Sequence, residues 1–235
     1  MKIRMVFLLF ALIGASFAIG CRTPASEGEE ISALVPVIYV RVFVVRHAQA
    51  WKNVDHPESM TEQELDSLTP QGLADAKALG ELLRAHEIVA VISSPAGRAR
   101  QTAEALSESL GLEVAPLIDP QLAYLVDGTT EGGEPMTWKI RLEQLARGED
   151  VRPVGGESLA DGRGRALGLV GGLLSDYRSR NVIVVTHGDI AATLVGEAAG
   201  TPLVERPTSH DLPMAIAVPI YVTSERWLLL EAIQP

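Results

Sequence analysis

Apolar side chains run with few breaks from Leu34 to Val45, in "LVPVIYVRVFVV", and the run stops at Arg46 and His47. A stretch so rich in β-branched residues, with little alternation, predicts a strand buried on both faces. Two more runs share that design. One is "IVAVISS", Ile88 to Ser94, followed by "PAGRARQTAEALSESLG"; the other is "NVIVVTHGD", Asn181 to Asp189, which carries His187. Between them the apolar positions change to helical spacing. Thr69 and Pro70 read as an N-cap and a first-turn proline for "QGLADAKALGELLRAH". Ser94 with Pro95 predicts the same kind of start for a helix that closes near Gly111. Glu157 to Arg180 is helical in pattern despite its many glycines, which lower the local propensity. At the end of the chain, Ala215 to Glu231 reads as two strands joined by a turn from Thr223 to Arg226. Strands alternating with helices predict an α/β fold: three layers, with a largely parallel sheet flanked by helices.

Composition keeps this picture within one domain. The chain has 235 residues, of which 47% are hydrophobic and 21% charged, and no repeat or long linker breaks it after Pro36. Its formal charge of −10 is spread along the chain without a basic stripe, which removes support for nucleic-acid binding and reads as solubility.

The first residues stand apart. Lys2 and Arg4 precede the apolar run Met5 to Ile13, and small residues lead to Cys21, the order of a secretory signal. That run is shorter than the roughly 20 residues of a membrane span. "FAIGC" resembles a bacterial lipobox, so residues 1–20 are expected to be a lipoprotein signal and Cys21 the lipidated residue that holds the protein to a membrane of the cell envelope, after export. Cys21 is the one cysteine of the chain, which leaves no intramolecular disulfide. Residues 21–34 read as a flexible tether, and 35–235 as the folded domain.

In open α/β sheets ligands sit beyond the carboxyl ends of the strands, where Arg46, His47, Arg98 and His187 are expected to gather. Guanidinium groups pair bidentately with phosphate oxygens, and Arg98 falls in the first turn of its helix, where free N–H groups also favour an anion. The histidines lack metal-ligand spacing, so no metal or other cofactor is expected.

At these residues the chain resembles the histidine phosphatase superfamily, which has the phosphoglycerate-mutase-like fold. Arg46-His47-Ala48-Gln49 stands where that family has Arg-His-Gly-Glu; "LTPQGLADAKALG", "SSPAGRARQTAEAL" and "VVTHGDI" match its further motifs in order. The resemblance implies a phosphorylated small-molecule substrate and a phosphomonoesterase in which His47 attacks phosphorus. Arg46, Arg98 and His187 would stabilise the transferring group, and Gln49 and Asn53 would join Arg46 and Arg98 in binding substrate. Ala48 replaces the family's glycine, which requires a backbone without positive φ there. Tyr124 stands in the place of a glutamate that protonates the leaving group. Candidate substitutes are Glu157, Glu131, Asp127 and Tyr124 itself, with Asp119 and Glu134. Two other readings remain open: a catalytically weakened lipoprotein that binds phosphate or phosphoesters, and a phosphoglycerate mutase.

Overall fold

The computed structural model describes residues 38–234. The expected signal at 1–20, Cys21, the tether 21–34 and the first positions of the expected opening strand lie outside the described residues. Among these residues six strands form one sheet: β1 Tyr39–Arg46, β2 Ile88–Ser93, β3 Leu117–Ile118, β4 Asn181–Thr186, β5 Ala217–Thr223 and β6 Trp227–Leu229, in the order β3-β2-β4-β1-β5-β6. β3, β2, β4 and β1 run parallel, and β5 and β6 are antiparallel additions at one side. Among the described residues no helix is long and apolar enough to cross a membrane.

Among the described residues seven α-helices accompany the sheet: α1 Glu62–Leu65, α2 Pro70–Leu83, α3 Gly97–Leu110, α4 Trp138–Leu145, α5 Leu159–Asp176, α6 Gly188–Ala199 and α7 Arg206–Ser209. The pleat of β1 sorts its side chains between two cores. Val42 and Val44 pack with Leu159 and Val170 of α5 and Ile190 and Leu194 of α6. Phe43 and Val45 pack on the other face with Leu79 and Leu83 of α2 and Ala103 and Leu106 of α3. This arrangement is the three-layer α/β fold expected from the sequence. Both faces being covered explains why β1 and β4 read as largely apolar runs.

Helix starts follow the chemistry of their caps. The Thr69 hydroxyl accepts the Gly72 N–H at 3.0 Å with Pro70 in the first turn, and Ser158 forms a capping box with Asp161 at the start of α5. Gly111, at φ 71°, closes α3. Ser94 departs from expectation. Ala96, not Ser94, occupies the N-cap position of α3, and the Ser94 hydroxyl accepts from His187 Nε2 at 2.7 Å.

Gly72 is fixed by a close approach. The Gln49 carbonyl accepts the Thr69 N–H at 3.0 Å, and a Cβ on Gly72 would lie 2.0 Å from that same oxygen. The Gly72→Ala variant is therefore expected to lose about 1–3 kcal/mol of stability through forced separation of α2 from the loop after β1. Denaturant unfolding measures this, and an unchanged midpoint would contradict it.

Candidate active site

β2, β4 and β1 are neighbours that end at the same edge. Arg46 pairs in register with Thr186; beyond the strands the His47 N–H donates to Thr186 O at 2.9 Å and the Ser94 N–H to Val185 O at 2.9 Å. The ladder thus continues into the segments that carry the candidate chemistry, and it fixes their heights relative to one another.

Arg98 links the two histidines. Its Nε–H donates to His47 Nε2 at 3.0 Å, and its Nη2–H donates to His187 Nδ1 at 2.9 Å. A guanidinium only donates, so both nitrogens present lone pairs. His47 then carries its proton on Nδ1 and donates it to the Ala48 carbonyl at 2.8 Å; His187 carries its proton on Nε2 and donates it to Ser94 Oγ at 2.7 Å. All three residues are buried, and the imidazole rings lie 5.2 Å apart.

Electrostatics agrees with these tautomers. Burial is the largest cause that lowers His47, from 6.5 to about 4; Arg98 and Arg46 add to it, against the Ala48 carbonyl and Asp66. His187 is held well below its usual value by burial, then by Arg98 and His47. A buried imidazole beside cations stays neutral, as a nucleophile must. Ala48 does not adopt positive φ, and its N–H donates to Thr102 Oγ1 at 3.0 Å, so the substitution for glycine causes no strain.

Arg98 is itself held by Asp66, a residue that the sequence analysis did not single out. Asp66 pairs with Arg98 Nη1 and accepts the Gly97 N–H at 2.6 Å. A Cβ on Gly97 would lie 2.7 Å from the Asp66 carbonyl oxygen, so glycine at the start of α3 permits this approach. Arg46 donates from Nη1 to Asp211 Oδ1 at 3.0 Å and to Leu212 O at 2.8 Å, while its buried Nε has no partner.

Above these groups lies a cleft of two adjoining hollows, about 400 Å³ and 660 Å³, that share Lys52, Arg98, Tyr124 and Asp127. Arg46 and Gly188 line the smaller one and Ser94 the larger. Two expected substrate ligands do not line the cleft. Gln49 Oε1 accepts the Thr69 hydroxyl at 2.8 Å, and Asn53 Oδ1 accepts the Ala50 N–H at 3.0 Å. Each amide is used to hold the loop after β1.

The candidate acids are scattered in the same way. Glu157 is gripped by Arg165 at 3.0 and 3.1 Å; burial works to raise it, but the Arg165 fork and the Val126 N–H outweigh burial and hold it low, as a carboxylate. Asp119 caps the turn at Gln121, and Glu131 lines a separate hollow with Thr129 and Arg152. Glu134 is exposed in the Thr129–Pro135 loop closure. Tyr124 sets its ring edge-on to His187 at 5.1 Å, with the Arg98 guanidinium 5.3 Å from its centroid. Asp127 lines both hollows and has no cation paired with it among the described residues. Asp189, which sequence reading also passed over, follows His187-Gly188 directly: burial raises its carboxyl, and it accepts the Leu125 N–H at 2.7 Å, tying the Tyr124 loop to α6.

A model of the histidine phosphatase superfamily (branch 1) matches residues 42–231, so the chain belongs to that family. A probable phosphoglycerate mutase of Salmonella paratyphi A is 29% identical over 174 residues, covering 69% of this chain and 76% of the relative. Among solved structures, a protein described as mycobacterial hydrolase 1 is 27% identical with a TM-score of 0.63, over 82% of this chain and 97% of its own. A mycobacterial glucosyl-3-phosphoglycerate phosphatase, solved with vanadate, is 26% identical with a TM-score of 0.61, over 80% and 96% of the two chains.

The neutral histidines have a pH signature. Between pH 6.5 and about 4 the unfolded chain protonates His47 while the folded chain does not, so stability falls as pH falls through that window. The loss from His47 is on the order of 3 kcal/mol, with His187 acting in the same direction. Histidine NMR should place the His47 titration near pH 4. A midpoint near 6.5 would contradict the buried, neutral arrangement.

Proposed function

We propose that this chain is a phosphomonoesterase that works through a phosphohistidine on His47 Nε2. The observation that carries this reading is the Arg98 guanidinium bonded at once to two buried, neutral histidines at the floor of the cleft. An arriving phosphoryl dianion offers Arg98 a stronger acceptor than an imidazole nitrogen, and its move to the phosphoryl oxygens frees the Nε2 lone pair. That lone pair forms the N–P bond as the ester P–O bond breaks, and the leaving oxygen takes a proton. Water then attacks phosphorus, the N–P bond breaks, and phosphate departs. Arg46, Arg98 and His187 hold the equatorial oxygens in both steps. Asp127 is the proton donor in this proposal: of the carboxylates considered from the sequence, it alone lines the cleft. The relatives that bear on this reading carry names of phosphatases and of a mutase; a mutase would return the phosphoryl group to a second hydroxyl, where this site gives it to water.

Acid-labile phosphate should appear on the protein after brief incubation with a phosphomonoester and a quench. His47→Ala should abolish it and lower turnover by at least about 10³-fold. With Asp127→Asn, an alkyl phosphate should lose on the order of 10²-fold, while a nitrophenyl ester, whose leaving group needs little protonation, loses much less. Phosphate binding with no turnover on a broad panel would instead favour the weakened phosphate-binding protein, and interconversion of phosphoglycerates without phosphate release would favour the mutase.

We also propose export and lipid attachment at Cys21, supported by Lys2, Arg4 and the apolar run before that cysteine. Metabolic labelling with a radioactive fatty acid should mark the protein in the membrane fraction, and Cys21→Ser should remove both label and membrane association. A soluble, unlabelled wild-type protein would refute it.

A further inference from the structure

The helical cover that α2 and α3 give the sheet stops short of one end of β1. Tyr39, Arg41, Phe43 and Val45 alternate onto the same face of that strand; Phe43 and Val45 are fully buried, whereas Tyr39 and Arg41 stay half-buried. The pairing of β5 sets Tyr221 opposite Arg41, and that of β6 sets Leu228 opposite Tyr221. The Tyr39 and Tyr221 rings stack at 4.5 Å, Leu228 is 40% exposed, and Arg41 Nε is buried with no partner. An aromatic and apolar strip thus occupies the end of the sheet away from the two histidines.

Arginines surround this strip. In the turn before β4, the Ser179 N–H donates to Tyr39 O at 2.6 Å and Arg180 O accepts the Arg41 N–H at 3.0 Å, which brings Arg178 and Arg180 beside β1. In the turn between β5 and β6, Arg226 O accepts the N–H of Thr223, the register partner of Tyr39. Arg178, Arg180 and Arg226 are exposed, and with Arg41 they make no ion pair among the described residues. Asp176 at the end of α5, Glu225 beside Arg226 and Glu87 just before β2 stand near them, equally unpaired. In a chain with a formal charge of −10, this end of the sheet is therefore where free guanidinium groups outnumber carboxylates.

We propose that this end of the sheet rests on an anionic lipid surface, with the tyrosines and Leu228 at headgroup level and the arginines on lipid phosphates. Rings with one polar end settle at membrane–water interfaces, and guanidinium forks pair with phosphate. The inference builds on the proposed lipid attachment at Cys21, because the chain that follows Cys21 enters the fold at the start of β1, beside this strip. A flexible tether of that length spans about 20 Å on average and reaches roughly 60 Å when extended. The lipid alone therefore lets any face turn toward the bilayer, and surface chemistry selects one. β1 runs roughly 25 Å from Tyr39 to Arg46, which keeps the cleft clear of the headgroups and open to water-soluble esters.

Two cysteine variants of the full chain, recovered from the membrane and returned to vesicles, measure the orientation. Ser224→Cys puts a fluorophore in the turn between β5 and β6, Ser59→Cys puts one in the loop after β1 at the cleft end, and acylation of Cys21 leaves no other thiol to label. A nitroxide carried on lipid headgroups should quench the label at 224 and spare the label at 59. Residues 22–235 contain every described strand and helix, and without the lipid they test the surface by itself. They should bind mixed phosphatidylcholine and phosphatidylglycerol vesicles about 10- to 100-fold more tightly than phosphatidylcholine alone, a preference that fades with added salt. Arg178→Gln, Arg180→Gln and Arg226→Gln together should remove it without change in far-UV dichroism. Equal quenching at the two labels, stronger quenching at 59, or vesicle binding indifferent to headgroup charge and to the three arginines overturns the proposal. Self-association that Tyr221→Ser abolishes, with no vesicle preference, also overturns it and gives the strip to a second copy of the chain. Labelling of Cys21 itself in the wild-type chain would remove the lipid attachment, and the vesicle titration then decides this inference alone.

Discussion

The site rests on one cation shared between two uncharged rings. Arg98 has hydrogens to give and no lone pair to receive one, so each imidazole it touches must turn an unprotonated nitrogen toward it. That single requirement sets the tautomers of His47 and His187, places their remaining protons on Ala48 O and Ser94 Oγ, and keeps both rings neutral. Protonating either ring would replace an attraction with a repulsion inside a buried volume, where little water is present to soften it. Asp66 matters for the same reason, as the anion that keeps Arg98 aimed at the rings while α3 is anchored through Gly97.

The sheet supplies the precision that such a shared bond needs. A parallel pairing of β1 with β4 in register Arg46 to Thr186, and of β2 with β4 ending at Ser93 and Val185, delivers three strand ends to one edge. A slip of one residue in any strand would turn its apolar set out of one core and into the other, which the separate packing of Val42 and Val44 from Phe43 and Val45 forbids. The hydrophobic cores therefore hold the geometry of the candidate site as well as the fold.

Much of this was legible because the buried strands are apolar throughout and stop abruptly at polar residues. β1, β2 and β4, the Thr69-Pro70 start of α2 and the Gly111 end of α3 follow from local pattern. β3 was not visible, being two exposed residues, Leu117 and Ile118; nor was α4, which is short and half polar. Asp66 meets Arg98 across 32 positions of chain, a contact that no local rule encodes. Gln49 and Asn53 follow His47 closely in sequence, and the loop uses their amide groups for its own hydrogen bonds, which no local pattern announces. Glu157 looked free at the start of α5, yet Arg165, two turns further along that helix, claims both its oxygens.

Between β3 and α5 the chain leaves the sheet, and that excursion carries Tyr124, Asp127, Trp138 and Arg141 to the mouth of the cleft without adding a strand. The strand ends thus set the groups around His47, and the excursion adds the wall that faces them. Because no strand of the sheet passes through the excursion, a change of its length reshapes the rim of the cleft and leaves untouched the ladder that spaces the strand ends.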